Sequence, residues 1–238
     1  MDGNLQRIWV YLAETPLLWL SATLVAYVIG DAVSARFGRP AVAHPLILAA
    51  AMLIALLVAT GTPYPDYFEG AQFVHFLLGP ATVALAIPLW RNRTQVGRSL
   101  LPMCAALVAG CLTAILSAVG IAWALGAPPE LLASLAPKSS TAPIAMALAE
   151  AVGGVPALAA VFAVLTGILG SVIVTPLMNA MGITDFAARG FAVGIASHGL
   201  GTARAFQVSE EAGTFAGIAM GLNGALTALV FLFIPLLL

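Results

Sequence analysis

The chain has 238 residues, of which 61% are hydrophobic and only 8% are charged, and its mean hydropathy is +1.05. A soluble domain carries about a quarter charged residues, so the composition excludes a water-facing globule. The formal net charge is −1, and no basic stripe exists to neutralise phosphates, which excludes nucleic acid as a partner. We therefore expect an all-α polytopic protein with one integral membrane domain over 1–238. Its N-terminus has no signal-peptide pattern, so membrane helices are expected to insert it.

Four apolar stretches within 16–125 predict membrane-spanning helices: 16–35, 42–60, 73–90 and 100–125. The third is interrupted by Gly79-Pro80, and Pro80 is a candidate helix breaker at the site. The loop RNRTQVGR at 91–98 has the densest positive charge in the chain. The positive-inside rule places that loop in the cytoplasm and the acidic connection at 61–70 outside.

Two further apolar stretches, 155–181 and 214–238, predict two more spans. Between and beside them, the shorter segments 137–153 and 187–206 are broken by polar or glycine-rich residues. Irregular backbone at membrane depth is tolerated only where it is buried in protein or lines a wet cavity. The sequence thus predicts six full spans and two broken elements, and each broken element either crosses the membrane or re-enters it.

Interrupted hydrophobic segments in one chain are the usual sequence pointer to a transporter's binding site. The segments 78–89 and 135–148 also share an L-x-P opening, a hydroxyl, a later proline and an apolar tail. This likeness suggests the relic of an inverted repeat.

The first broken element holds the only lysine of the chain, Lys138. Three hydroxyl residues follow it and two helix-breaking prolines bracket it: Ser139, Ser140, Thr141, Pro137 and Pro143. An isolated charge at membrane depth costs at least ~2.5–3.5 kcal/mol, so an ammonium beside three hydroxyls indicates a site for a small anion. The alternative is that Lys138 caps a helix and snorkels to the interface.

The second broken element clusters polar and glycine residues: Ser197, His198, Gly199, Gly201, Thr202 and Arg204. The glycines permit a turn or a close approach of backbone amides to a ligand. Arg204 is suited to grip a carboxylate through two parallel hydrogen bonds, and His198 to carry a proton. The alternative makes Arg204 a cytoplasmic anchor and His198 a hydrogen-bonded packing residue.

The remaining polar residues allow few further roles. We expect Glu150 to be simply hydrated in the turn before Gly153; the alternatives are that it carries a coupling proton or pairs with Lys138. Asn179 and Asn223 predict hydrogen bonds between helices rather than ligands. The three dispersed histidines lack ligand spacing, so we expect no metal and no cofactor. Adjacent Lys138 and Ser139 point in different directions on a helix, which argues against an enzyme.

The order of motifs from about residue 40 to the C-terminus resembles the LrgB/CidB family. The resemblance is carried by Asp66-Tyr67-Phe68 with Gly70, Val83-Ala84-Leu85-Ala86 with Pro88-Leu89, Pro137-Lys138-Ser139 with Thr141, Pro143-Ile144-Ala145-Met146, Gly153-Gly154-Val155-Pro156-Ala157, Gly167-Ile168-Leu169-Gly170, Ala188-Arg189-Gly190 and Ala196-Ser197-His198-Gly199-Leu200-Gly201-Thr202-Ala203-Arg204. The family's patterned residues fall on Lys138, Ser139, Thr141, Pro143, Ser197, His198, Gly199, Gly201, Thr202 and Arg204.

The resemblance implies a multi-pass protein of the bacterial plasma membrane, usually encoded beside a smaller LrgA/CidA-type partner. The family is described as holin/antiholin-like and as modulating murein hydrolases and cell lysis. Its plastid relatives carry glycolate and glycerate, and bacterial members are tied to pyruvate movement.

Residues and resemblance together predict a secondary transporter of small 2-hydroxy or 2-oxo monocarboxylates such as glycolate, glycerate, lactate or pyruvate. Lys138 and Arg204 would meet the carboxylate, and the neighbouring hydroxyls the second oxygen. The broken segments would meet near the bilayer centre of a lipid-embedded homodimer, in an elevator-like architecture. The alternative is a holin/antiholin-like regulator of lysis without selective transport.

Overall fold

The computed structural model describes residues 16–40, 43–77, 83–84, 86–91 and 93–233, which are helical and contain no strand. The helices in chain order are α1 (Pro16–Arg36), α2 (Pro45–Thr60), α3 (Tyr64–Phe76), α4 (Ala86–Arg91), α5 (Arg93–Arg98), α6 (Leu100–Ala124), α7 (Pro129–Leu135), α8 (Ala142–Ala151), α9 (Pro156–Ala180), α10 (Phe186–Val208) and α11 (Glu210–Phe233). Contacts divide the chain into two compact units, Met1–Ala84 and Leu85–Leu238.

In the first unit α1 packs against α2 and α3. The start of α2 passes so close to α1 that a methyl group on Gly30 would lie 2.6 Å from the Pro45 carbonyl oxygen. Trp19 of α1 is fully buried and packs edge-on against Tyr67 of α3, with ring centroids 5.8 Å apart. Helix α1 thus contacts α2 through close backbone packing at Gly30, and it contacts α3 through this ring pair and a 3.1 Å hydrogen bond between Thr23 Oγ1 and Tyr67 Oη.

An ion pair closes the end of α1. Arg39 donates to both carboxylate oxygens of Asp31 at 2.6 and 3.2 Å. These hydrogen bonds, followed by the charge of Asp31, raise the pKa of the Arg39 guanidinium above its ordinary value. The ion pair therefore links the residues that follow α1 back to its last turns.

Within the described residues, four helices are long and apolar enough to cross a membrane: Leu17–Arg36, Leu100–Ala124, Pro156–Ala180 and Glu210–Phe233. They confirm four of the six predicted spans, although the last begins four residues earlier than expected. The predicted second span, 42–60, contains α2, which is apolar but has only 16 residues. At 1.5 Å per residue it reaches about 24 Å, less than the ~30 Å hydrocarbon core.

The predicted third span, 73–90, is not one helix in the described residues. Helix α3 already begins at Tyr64, inside the stretch that we expected to be a loop, and it ends at Phe76. Proline is compatible with a first helical turn, so Pro65 does not prevent this early start. Residues 78–82 lie outside the described part, and with them Pro80 and much of the segment offered as an inverted repeat.

In the second unit α9 is the scaffold for the first broken element. Helix α8 runs back along the first half of α9 through alanines that are completely buried: Ala145, Ala149, Ala159 and Ala163. The end of α7 is fastened to the same place, because Ser134 Oγ accepts a hydrogen bond from the Val155 amide at 2.7 Å. The helices on both sides of the break at 136–141 thus contact the first half of α9. The first broken element therefore enters the second unit at the end where α9 begins and returns to the same end.

Helix α10 also folds back on itself. His198 has φ 41° and ψ −131°, which interrupts the helix between a first arm (186–197) and a second arm (199–208). A methyl group on Gly201 would lie 2.9 Å from the Val193 carbonyl oxygen, whereas eight residues of continuous helix span about 12 Å. Val193 and Ala205 belong to one buried cluster. The two arms therefore pack against each other as a helical hairpin.

The contacts with α11 confirm the opposite directions of the arms. Added methyl groups on Gly190 and Gly194 of the first arm would overlap the carbonyl oxygens of Ala212 and Ala216 respectively, so this arm runs parallel to α11. The second arm runs antiparallel to α11, because the chain turns at Ser209 directly into it. The hairpin thus begins where α9 ends and returns there.

The two broken elements approach from opposite ends of α9. The tip of the α10 hairpin lies beside Gly167 and Gly170, near the middle of α9 (Pro156–Ala180). The break between α7 and α8 reaches Asn223, near the middle of α11 (Glu210–Phe233). Both segments, 137–153 and 187–206, thus fold back within the second unit.

Candidate functional site

The first tip is the irregular stretch 136–141, which holds Lys138. Pro137 is fully buried inside the break, and Ser140 Oγ donates to its carbonyl oxygen at 2.8 Å. Pro143 lies in the first turn of α8, where a missing backbone donor costs nothing. The prolines thus end one helix and begin the next, and they leave Lys138 on non-helical backbone.

The Lys138 ammonium is half-buried and contacts a hydroxyl rather than an acid. Its Nζ donates to Ser139 Oγ at 3.2 Å, and no carboxylate among the described residues forms an ion pair with it. A partly desolvated cation with a single neutral partner favours an anion beside it.

The second tip is fixed by His198. Its Nε2 lies 2.8 Å from the Ala163 carbonyl oxygen of α9, and a methyl group on Gly167 would come within 2.8 Å of its Cε1. Thr202 Oγ1 donates to the His198 carbonyl at 2.8 Å. These contacts hold a non-glycine residue at positive φ, a conformation that costs of order 1–3 kcal/mol. The geometry is that of a hydrogen-bonded packing residue.

Glycines have a different role at this tip from the one predicted. The chain turns at His198, while Gly199 and Gly201 are not among the glycines with positive φ. Gly201 has little room for a side chain, because an added methyl group would lie 2.7 Å from Ser197 Cβ and 2.8 Å from Val193 Cγ2. It allows the two arms to meet rather than a ligand to approach.

Asn223 of α11 joins the two tips. Its Nδ2 donates to the Ser139 carbonyl oxygen at 3.0 Å and to the Ile195 carbonyl oxygen at 3.2 Å. The side chain is 1% exposed. The prediction that Asn223 makes hydrogen bonds between helices is confirmed, and these bonds bring the broken segments together near the middle of α11.

A cavity of about 1030 Å³ extends along α6 and the first arm of α10 towards the tips. Seven polar or charged residues line it: Ser99, Thr113, Lys138, Ser139, Thr166, Asp185 and Ser197. Ser197 is 1% exposed, and its Oγ, which has no hydrogen-bond partner among the described residues, lies against Gly170 of α9, where an added methyl group would overlap it. Lys138 and Ser139, whose side chains are hydrogen-bonded to each other, form the candidate anion site, and Ser197 lines the same cavity.

The walls of the cavity are mostly apolar. They include Met103, Phe191, Ile195 and Phe215, which belong to one buried cluster. Phe191 precedes the tip by about two helical turns, and exposed Asp185 lies at the beginning of the first arm. The Asp185 carboxylate caps α10 by accepting from the Ala188 amide at 2.7 Å. One end of the cavity is therefore near solvent and the other is the buried tip region.

Other predicted site residues lie outside this lining: Ser140, Thr141, His198, Gly199, Gly201, Thr202 and Arg204. Arg204 lies on the second arm, where it lines a separate cavity of about 20 Å³ together with Arg189. Six residues of helix place it about 9 Å along the arm from His198. Because α10 folds back, the structure does not bring Arg204 to the Lys138 cavity.

Glu150 is exposed in the last turn of α8, before the turn that contains Gly153. It does not line the cavity, and its position matches the interpretation of a hydrated carboxylate. Sequence reasoning also missed Thr166 and the aromatic walls, because nothing in their local sequence distinguishes them from other residues of an apolar helix. The spacing of Gly190 and Gly194 was an available signal of close helix packing.

Comparison with known proteins shows which family the chain resembles. The model of the LrgB-like family matches residues 23–237. The Bacillus subtilis protein YwbG, described as uncharacterized, is 36% identical over 208 residues, which cover 87% of this chain and 92% of that protein. The holin-like protein CidB of Staphylococcus aureus (strain Mu50) is 26% identical over 214 residues, which cover 90% and 93% of the two chains. No solved structure matches the chain.

Proposed function

The chain belongs to the LrgB-like family, and we propose that it is a holin-like protein of the bacterial plasma membrane that regulates murein hydrolase activity and lysis. The observation that supports this proposal is the name of its staphylococcal relatives, holin-like protein CidB, which match 90% of the chain. The resemblance leads us to propose also a homodimer and a smaller LrgA/CidA-type membrane partner.

The fold offers a physical basis for a change in membrane permeability. The cavity extends from exposed Asp185 towards the tips of two elements that enter from opposite ends of the second unit. Moving either tip away from Asn223 would extend that cavity. An elevator-like or rocking movement of the bundle that bears the tips is part of the proposal.

The arginines suggest an orientation for the second unit. Arg98 directly precedes the cavity residue Ser99, and Arg189 follows the cavity residue Ala188. Cytoplasmic ends of membrane helices are enriched in arginine and lysine. We propose that the Asp185 end of the cavity faces the cytoplasm.

A second candidate function is secondary transport of small 2-hydroxy or 2-oxo monocarboxylates. It is supported by one specific observation, the half-buried Lys138 ammonium, which shares the cavity with Ser139 and Ser197 and has no acidic partner among the described residues. A carboxylate there would neutralise the lysine and offer acceptors to the hydroxyls.

One pair of assays separates these candidates. Purified protein is placed in vesicles that contain either a fluorescent dye or buffer, and dye release and uptake of labelled glycolate, lactate and pyruvate are measured. The test variant is Lys138→Gln. The control is Arg98→Gln, which also removes one positive charge but at an exposed position.

For a holin-like protein, we expect dye release that does not depend on the carboxylate concentration and that is the same in wild type and Lys138→Gln. A carrier gives saturable uptake without dye release, lost in Lys138→Gln and kept in Arg98→Gln. Folded protein that causes neither release nor uptake would refute both candidates for the isolated chain.

A further inference from the structure

The tip of the α10 hairpin is held firmly. His198 Nε2 lies 2.8 Å from the Ala163 carbonyl oxygen of α9. Behind the tip, the first arm meets the backbone of α11 at Gly190 and Gly194, where an added methyl group would overlap a carbonyl oxygen. Backbone packed on backbone has no side chain that can change its rotamer, so we expect the hairpin, α9 and α11 to move as one body.

The tip of the first broken element has a weaker hold on that body. Among the described residues, one hydrogen bond joins 136–141 to α10 and α11, from Asn223 Nδ2 to the Ser139 carbonyl oxygen at 3.0 Å. Pro137 and Ser140 are also buried, but they are bonded to each other and belong to the same tip. One hydrogen bond changes the ratio of a bound to a released tip by only about tenfold.

Helix α8, which follows this tip, packs on α9 through alanines: Ala145, Ala149, Ala159 and Ala163. Such small side chains interlock little, and packed helices accommodate small sliding movements. Towards α11, Ile144 lies beside Gly224, where an added methyl group would be 3.0 Å from Ile144 Cδ1. The 10 residues of α8 are about 15 Å long, so a pivot of about 15° at its base would move the tip by about 4 Å. That movement would break the bond from Asn223.

The base of the element combines a fastening with free turns. Ser134 Oγ accepts from the Val155 amide at 2.7 Å, and a methyl group on Gly154 would lie 2.8 Å from the Ser134 amide nitrogen. The chain enters and leaves the element at Gly126 and Gly153, with φ 80° and 79°. Neither glycine has an atom within 4 Å of an added methyl group, so the backbone can turn there without displacing packed atoms.

We propose that residues 127–152 form a gate segment that pivots at its base while the α10 hairpin stays fixed, and that Asn223 is the latch that keeps this gate closed. Opening would carry Lys138 and Ser139 away from the hairpin tip and extend the cavity that they line. The inference rests on the proposed function for the purpose of the movement, a regulated opening. The movement itself is measured without any release or uptake.

The test measures distances between two spin labels on the full chain in lipid nanodiscs, after replacement of the two native cysteines. Labels on Ala147→Cys and Leu222→Cys report the gate segment relative to α11. Labels on Ala203→Cys and Leu222→Cys report the second arm of the hairpin relative to the same position. All three residues are exposed.

The latch variant is Asn223→Ala. We expect it to raise the ratio of open to closed gate about tenfold, with a label distance about 4 Å longer in the open fraction, and to leave the hairpin distance unchanged. The control is Thr214→Ala, because buried Thr214 on the same helix donates to the Glu210 carbonyl within that helix. It should leave both distances as in wild type.

A second variant, Ile144→Ala, keeps the latch and removes the apolar contact at Gly224. It should raise the same ratio at least about fourfold. Unchanged gate distances in both folded variants would overturn the gate, and a hairpin distance that lengthens as much as the gate distance would overturn the fixed hairpin.

The dye-release assay on the same proteins separates the gate from the function on which it rests. Gate movement in a protein that releases no dye would refute the holin-like function and support the gate. Release of dye without gate movement would refute the gate and leave the holin-like function standing.

Discussion

Gly190 of the first arm faces the backbone of α11 with no room for a side chain. A methyl group there would overlap the Ala212 carbonyl oxygen, and it would lie 2.7 and 2.8 Å from the carbonyl carbon and Cα of Ala212. Because backbone has no rotamer to change, Gly190→Ala must push the first arm away from α11. Overpacking costs typically 1–3 kcal/mol, and the better helix propensity of alanine returns up to about 1 kcal/mol.

Because the clash is with rigid backbone, the overpacking cost lies at the upper end of that range, and we expect Gly190→Ala to destabilise the protein by a net of about 2 kcal/mol, which corresponds to a fall in Tm of roughly 4–8 °C for a chain of this size. The matched control is Gly221→Ala on α11, because no atom lies within 4 Å of an added methyl group there. The assay is thermal unfolding of both variants in the same detergent. Equal or greater stability of Gly190→Ala relative to Gly221→Ala would refute the close packing of the first arm on α11.

Two polar contacts give further predictions, each measured as a change in Tm under the same conditions. Asn223→Ala removes the donor shared by the Ser139 and Ile195 carbonyls together with a buried amide oxygen that has no hydrogen-bond partner among the described residues, so the net cost should be about 1 kcal/mol; an unchanged Tm would mean that Asn223 does not hold the tips together. Ser134→Ala leaves the Val155 amide without its 2.7 Å acceptor and should cost about 1 kcal/mol. Stability equal to wild type would show that α7 is not fastened to α9 by this contact.

Hydropathy and composition predicted much of the helical framework. The long apolar helices α1, α6, α9 and α11 lie where apolar runs of about 20 residues indicated spans. The early start of α3 was missed because the sequence GTPYPDYFEG is rich in turn-forming residues. Pro65 and Asp66 are also favourable in a first helical turn, so local composition did not distinguish a loop from a helix start.

The hairpin of α10 shows where local sequence is insufficient. A helix that crosses and a helix that returns have the same hydrophobic pattern, and only contacts between distant residues separate them. Gly199 and Gly201 suggested the position of the break, but the residue at positive φ is His198. What fixes the turn is tertiary: the Ala163 carbonyl and the space at Gly167, both on α9.

Local sequence indicated where the polar residues of the second unit gather, because broken backbone and polar side chains in an apolar chain mark a place buried in protein. Lys138, Ser139 and Ser197 line one cavity, and their role as a binding site stays a prediction. Arg204 follows Ser197 by only seven residues, and this closeness in sequence suggested a shared ligand. The reversal of the chain between them places Arg204 beside Arg189 in another cavity.

The most direct test of the re-entrant hairpin is a cross-link between its arms. Val193→Cys and Ala205→Cys are introduced together into a chain whose two native cysteines are replaced. Twelve residues of continuous helix would separate the pair by about 18 Å, whereas in the hairpin both side chains belong to one buried cluster. The control pair is Ala163→Cys with Thr175→Cys, at the same sequence separation within α9. The hairpin predicts oxidative cross-linking within one chain for the first pair and none for the control. Two free thiols in the first pair, under oxidation that cross-links other adjacent cysteines, would contradict it.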